Sequence, residues 1–126
     1  MTSRRQAPHA ELAGVFHEPN RLAIVSHLAG AGRGVPFTDL RDAVFLTDGN
    51  LSRHLRTLAE AGAVRIDKSF VGARPRTTVV LTDVGRRQFL AYLKALEKVL
   101  KKASAAMEAS VGRSRANPGR AAVEPA

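Results

Sequence analysis

The 126 residues contain no cysteine. That excludes disulfide bonds, thiolate zinc sites and cysteine nucleophiles together. Long apolar runs are missing as well. Nothing approaches the roughly 20 residues that a membrane-spanning helix needs, and the opening "MTSRRQAPHAELAG" lacks the apolar stretch of a secretory signal. The expected location is the cytoplasm, with no membrane partner. Catalytic patterns are absent too. No Ser/His/Asp order, phosphate-binding glycine loop or acidic pair stands in a recognisable context, so neither an enzyme nor a cofactor is expected. His9, His17, His27 and His54 never fall at tight metal-ligand spacing, so no metal site is expected either.

Acid is scarce. Eleven Asp and Glu face 20 Lys and Arg, for a net charge of +9 and a pI near 11.3. Such a balance favours a polyanionic partner, usually nucleic acid, with an anionic membrane surface as the other candidate. A generally basic composition with a basic tail is the plainer explanation. The excess is spread, however: residues 33–87 hold ten basic against six acidic residues, and residues 94–126 hold seven against three. At 44% hydrophobic and 25% charged, the chain is ordinary globular material, enough for one domain with a modest core. No internal repeat is evident.

Residues 1–8 read as a flexible arm, and "HAELAGVF" as a short helix interrupted at Glu18-Pro19. Pro19 suits the first turn of the next helix, where its missing N–H is not needed. That helix runs to about Ala29 and offers Leu22, Ile24, Val25 and Leu28 to a core. "AGAGRGVP" breaks it. Thr38 is positioned to cap a short helix, "DLRDAVF", with Leu40 and Val44 inward, and Thr47 to cap the next. Two short helices this close must turn sharply on one another, which is helix-turn-helix spacing.

The second of these, within "LTDGNLSRHLRTLAEAGAV", sets Leu51, Leu55 and Leu58 in one sector at about 100° per residue. Arg53, Arg56 and Gly49 fall opposite, flanked by Asn50, Ser52 and Thr57. Arg, Asn and Ser hydrogen-bond base edges or phosphates, and arginine reaches guanine with two parallel bonds. Gly49 removes bulk at the N-terminal end, where N–H groups also favour a phosphate. Thr47 and Asp48 complete this candidate DNA-binding surface. A solvated polar face is the competing explanation. His54, at the edge of the leucine sector, reads as packed between helices.

After Gly62 the period changes. "AVRIDKSF" alternates as a strand does, "VGARPR" is turn chemistry, and "TTVVL" is a second β-rich run, so the pair reads as a hairpin. Arg74, Pro75 and Arg76 are expected at its tip as a stiff cationic projection, with Lys68 and Thr77 beside them. A solvated turn is the alternative. Thr82 caps a long final helix of about 83–110, in which Phe89, Leu93, Leu96, Leu100, Ala103 and Met107 form a heptad seam. The seam points to a symmetric dimer. The other reading is a helix covering its own subunit, and Leu90 and Val99 beside the seam could face that core. Residues 111–126 read as a disordered basic tail.

Residues from about 18 to 100 resemble the winged-helix domain of MarR- and ArsR-type bacterial transcription regulators. The stretches that carry the resemblance are "PNRLAIVSHLA", "FTDLRDAVFLTDGNLSRHLRTLAEAGAVRIDKSF", "GARPRTTVVLTDVGRRQF" and "YLKALEKVL". It implies a mainly α fold with a small β-hairpin (α+β): a winged helix-turn-helix at 9–110 with a long C-terminal dimerisation helix. It further implies a homodimer on double-stranded DNA at the nucleoid, with the helix at 48–61 in the major groove and the hairpin as a wing on backbone or minor groove. The function implied is sequence-specific regulation, as a repressor. A weakly specific architectural DNA-binding protein and a winged-helix protein-interaction module are the alternatives. Metal-sensing ArsR proteins usually use cysteines, and MarR proteins usually carry longer N-terminal helices beside an effector pocket. Neither kind of sensing is implied here.

Overall fold

A computed structural model of the chain describes residues 14–116, with side chains through Ser114. The expected arm at 1–8, most of the short helix at 9–16 and the tail beyond Ala116 lie outside the described residues. Residues 14–16 are helical. Four helices and three strands follow: α1 (Pro19–Ala31), β1 (Val35–Pro36), α2 (Phe37–Ala43), α3 (Asp48–Glu60), β2 (Val64–Val71), β3 (Arg74–Leu81) and α4 (Asp83–Ala116). They make two compact units, the first ending at Tyr92 and the second beginning at Leu93 within α4.

Helix α1 starts as its sequence requires. Pro19 occupies the first turn, and Glu18 caps it by accepting the Arg21 amide at 2.8 Å. Gly32 ends it in the left-handed region at φ 71°. Helix α2 is shifted from the expected position. Pro36 takes the N-cap place without a side-chain cap, so Thr38 lies inside the helix and exposed rather than capping it. The fixed φ of Pro36 and the pairing of β1 settle the entry before Thr38 is reached.

The sheet has three antiparallel strands in the order β1-β3-β2, one more than the expected hairpin. Strand β1 joins β3 through Val35–Val79 and Pro36–Thr78. Strands β2 and β3 pair from Val64–Leu81 to Val71–Arg74, leaving Gly72 and Ala73 as a two-residue turn. Gly72 takes φ 64°, the demand of the first central position of a type II′ hairpin turn. Arg74, Pro75 and Arg76 therefore stand in β3, not at the tip. Pro75 is tolerated there because β1 covers β3 only at Thr78 and Val79, so β3 has a single neighbour at Pro75.

The core fills the space between α1, α2, α3 and the sheet. Ile24, Val25, Leu40, Leu51, Leu58 and Val79 have no exposed surface. Each such side chain contributes roughly 1.5–3 kcal/mol relative to exposure. Phe89 belongs to this core, only 4% exposed, with its ring edge-on to Phe16 at 5.2 Å and stacked with Tyr92 at 6.2 Å. It is not available to a dimer seam, because the first turns of α4, through Tyr92, belong to the first unit and Phe89 is buried in its core. Leu90 and Val99 do not join the core; they are exposed. Helix α4 continues to Ala116, past the expected end near Ser110. Once propagating, a helix gains a hydrogen bond per residue, which carries it through Gly112 to Arg113, Arg115 and Ala116, the good formers of this stretch.

One threonine binds three elements together. The Thr82 hydroxyl donates to the Gly62 carbonyl at 2.7 Å, with the Ala63 carbonyl at 3.1 Å, and accepts the Gly85 amide at 2.9 Å. It thereby caps α4 and holds the root of the hairpin. Gly85 lies so close to Ala63 that a Cβ would collide with its carbonyl.

Candidate nucleic-acid interface

Helix α3 is placed by both of its faces. At its start the Thr47 hydroxyl accepts the Asn50 amide at 3.2 Å, as a cap should. Asp48 sits in the first turn, where its charge suits the helix dipole. It does not stand alone: Arg41 of α2 donates to it at 2.9 Å and to Asp42 at 2.9 Å. The bonds to Asp48 and then Asp42 raise the Arg41 pKa further, and they brace α2 against the start of α3.

The inward face buries Leu51, Leu55 and Leu58, as their spacing requires, together with His54 at 7% exposure. His54 Nδ1 lies 3.4 Å from Arg21 Nη1 and 3.9 Å from Glu18 Oε1. Partial burial opposes ionisation of Glu18. The Arg21 amide and the His54 and Arg21 charges outweigh it and hold the carboxyl below its ordinary range. Arg21 in turn donates to the Val15 carbonyl at 2.7 Å. The N-terminus of α1 thus pins the back of α3.

The outward face is the predicted one. Gly49, Ser52, Arg53 and Arg56 are exposed, while Asn50 and Thr57 are half-buried. The Thr57 hydroxyl is turned to the Arg53 carbonyl at 3.4 Å. Nothing lies within 4 Å of a Cβ built on Gly49.

The wing residues divide between two faces of the sheet. Side chains alternate along a strand. Val79 and Leu81 are buried, so Pro75 and Thr77 share their face, and their partners Phe70 and Lys68 share it too. A cleft of about 520 Å³ lies between this face and α3, lined by Ser52 and Arg56 from the helix, Lys68 and Thr77 from the wing, and Phe37 and Ile66 below. Arg74 and Arg76 alternate onto the opposite face with Val71 and Ser69. The arginines expected to act with Lys68 are thus separated from it by the thickness of the sheet. Arg76 and Pro75 also border a smaller hollow beside the start of α2, with Thr38 and Asp39.

Several acids near these residues are engaged by other arginines. Asp42 and Asp48 engage Arg41, and Asp67 takes two bonds from Arg65, at 2.8 and 3.1 Å, which hold its carboxyl below the ordinary range. Among the described residues, Arg53, Arg56, Lys68, Arg74 and Arg76 form no ion pair. Helix and wing therefore present uncompensated positive charge. Among the described residues no three His, Asp or Glu side chains gather as metal ligands would, and no helix is long and apolar enough to cross a membrane. His17 meets the Tyr92 hydroxyl at 2.9 Å instead.

Two exposed aromatics belong to this region and carry no sequence signal. Phe70 on the wing is 73% exposed, and Phe45, between α2 and α3, is 93% exposed. On the second unit, Leu93, Leu100 and Met107 are exposed and Leu96 is half-buried, at heptad spacing on one face of the helix.

Comparison with known proteins bears on these surfaces. Residues 20–100 match the family model of the winged helix DNA-binding domain. The chain is 35% identical over 79 residues to an uncharacterised protein of Methanocaldococcus jannaschii, covering 63% of this chain and 85% of that one. The transcriptional regulator homologue of Pyrococcus horikoshii OT3 is 30% identical and superposes with a TM-score of 0.67, over 76% of this chain and 97% of that one. A protein described as a MarR-family regulator, from Enterococcus faecalis V583, shares the fold at 21% identity and a TM-score of 0.62, over 83% of this chain and 96% of that one. A protein described as an ArsR-family regulator shares the fold as well, at 17% identity and a TM-score of 0.52.

Proposed function

Because the chain belongs to the family of winged helix DNA-binding domains, we propose that it is a homodimeric, sequence-specific repressor of transcription. It acts by occupying a promoter and not by catalysis. The observation that carries this reading is the exposed row Ser52, Arg53 and Arg56 on a helix whose other face is locked into the core. The major groove is wide enough to admit an α-helix such as α3. Its open N-terminal turn, bare at Gly49, leads into the groove. Lys68 and Thr77, across the cleft from Arg56, are set to meet the phosphates bordering it. Arg74 and Arg76 follow the flanking backbone or minor groove from the outer face of the wing.

Dimerisation is assigned to α4 through Leu93, Leu96, Leu100 and Met107, with Phe89 left in the core. Two copies related by a two-fold axis would read half-sites one helical turn apart, ~34–36 Å. Selection from random duplexes tests the whole reading. An inverted-repeat consensus is expected. Salt-sensitive binding without a consensus would favour a DNA-coating role, and no duplex binding would favour a protein-interaction module. Within a selected site, Arg53→Ala or Arg56→Ala should lose roughly 1–3 kcal/mol if the side chain reads a guanine. If it meets only phosphate, all sequences weaken alike and the salt slope falls by about one.

A further inference from the structure

Four described residues hold the left-handed backbone region: Gly32, Gly62, Gly72 and Phe45. The first three follow from chemistry, because glycine has no Cβ to strike the neighbouring carbonyl. Phe45, at φ 58°, is the one non-glycine among them. The hydrogen bonds around it are those of a Schellman helix end: the Leu46 amide reaches the Arg41 carbonyl at 3.2 Å and the Phe45 amide reaches the Asp42 carbonyl at 3.3 Å. In that motif Phe45 fills the position normally given to glycine.

The fold gains nothing in return. The Phe45 ring is 93% exposed, more than any other large apolar side chain among the described residues. Strain and apolar exposure thus coincide at one residue, and both would vanish with glycine. The residue is also firmly presented. The Schellman bonds fix the turn from one side, and the Arg41–Asp48 pair closes it from the other at 2.9 Å. Two positions after Phe45, Thr47 caps α3, so the ring stands beside the helix end that leads toward the groove.

A phenyl ring has no hydrogen-bonding group, so what covers it must offer apolar surface. In the major groove that surface is the C5 methyl of thymine. We propose that Phe45 is a specificity-determining residue, whose ring packs on a thymine methyl at the edge of the half-site read by the first turn of α3. This inference rests on the DNA-binding reading above. It adds an A·T preference made without hydrogen bonds, at a base pair adjoining those contacted by Ser52 and Arg53.

The test uses Phe45→Gly and Phe45→Asn, both suited to the left-handed backbone, on duplexes from the selection. Each thymine is replaced in turn by uracil, which keeps its pairing and lacks only the methyl. One thymine per half-site should matter to the wild type, its replacement weakening binding about fourfold per half-site, the worth of one buried methyl group. The same replacement should be silent in both variants. On the unmodified duplex each variant should bind at least about fourfold more weakly while melting no lower than the wild type. Variants that bind as tightly as the wild type overturn the proposal, as does a uracil series in which no position distinguishes wild type from variants. If the wild type selects no duplex at all, the DNA-binding reading falls first.

Discussion

Gly49→Ala is the sharpest perturbation of the interface, because folding and binding should answer it in opposite directions. Gly49 is the second residue of α3, and an added Cβ meets nothing within 4 Å. In a helix interior glycine costs about 0.8–1.0 kcal/mol relative to alanine, and in the first turn about half of that is recoverable, ~0.5 kcal/mol. For a domain of this size that raises the melting temperature by roughly 2–4 °C. The DNA side runs the other way. If the first turn of α3 lies against the groove, a methyl group forced into that contact costs about 1–3 kcal/mol, as overpacking of a tight interface does. Affinity then falls roughly 5- to 150-fold. Thermal denaturation by circular dichroism and fluorescence anisotropy on a selected duplex measure the two quantities on the same preparation. A variant that gains stability and binds unchanged would refute the idea that glycine is kept there for the approach of DNA. One that loses stability would refute the reading of its backbone.

Gly85→Ala is the opposite case: a Cβ would stand 2.8 Å from the Ala63 carbonyl carbon and 2.9 Å from its Cα, and Ala63 is held by Thr82. A loss of about 1–3 kcal/mol is expected in urea unfolding, larger than any gain in helix propensity. Leu93→Glu with Leu96→Glu places charges on the proposed seam and should leave a helical monomer by sedimentation, with most operator affinity gone. A wild type that sediments as a monomer at micromolar concentration contradicts the dimer. Glu18 has a depressed folded pKa, so its contribution to stability is present above its ordinary value of 4.5 and is lost as pH falls through the lower folded value. Glu18→Gln should therefore be less stable than wild type at neutral pH, and the difference should shrink as pH falls below 4.5 and vanish once it is below the folded value, where the carboxyl is protonated in both folded and unfolded states.

Where sequence and structure agree, several local signals coincide. Helix α3 was legible because Thr47 and the leucine spacing mark the same element and each does what it was expected to do, while Gly62, after which the period changes, takes φ 81° just past its end. The wing's existence was legible from the change of period, but its tip was not. Arg-Pro-Arg has turn chemistry, and only the register shows that Gly72–Ala73 closes the hairpin and leaves Pro75 with one neighbouring strand. Strand β1 is two residues long, too short for any pattern. The heptad count placed Phe89 with the leucines because spacing alone does not distinguish a seam from a core; its contact with Phe16 does. Nothing in "DAVFLTD" announces a left-handed phenylalanine. That fact belongs to the turn, and it becomes visible only as a backbone angle.

The shared hydroxyl of Thr82 has a mechanical consequence. Because one oxygen fastens both the end of β3 and the first turn of α4 to Gly62, these pieces share one anchoring point. From that point, β3 extends eight residues to Arg74, a lever of roughly 27 Å at 3.4 Å per residue. A rotation of about 5° there carries the tip of the lever through roughly 2 Å, more than enough to part a hydrogen bond. A small rotation of the first turn of α4 about that point would therefore reach the far end of the hairpin magnified, with no change in the strands themselves.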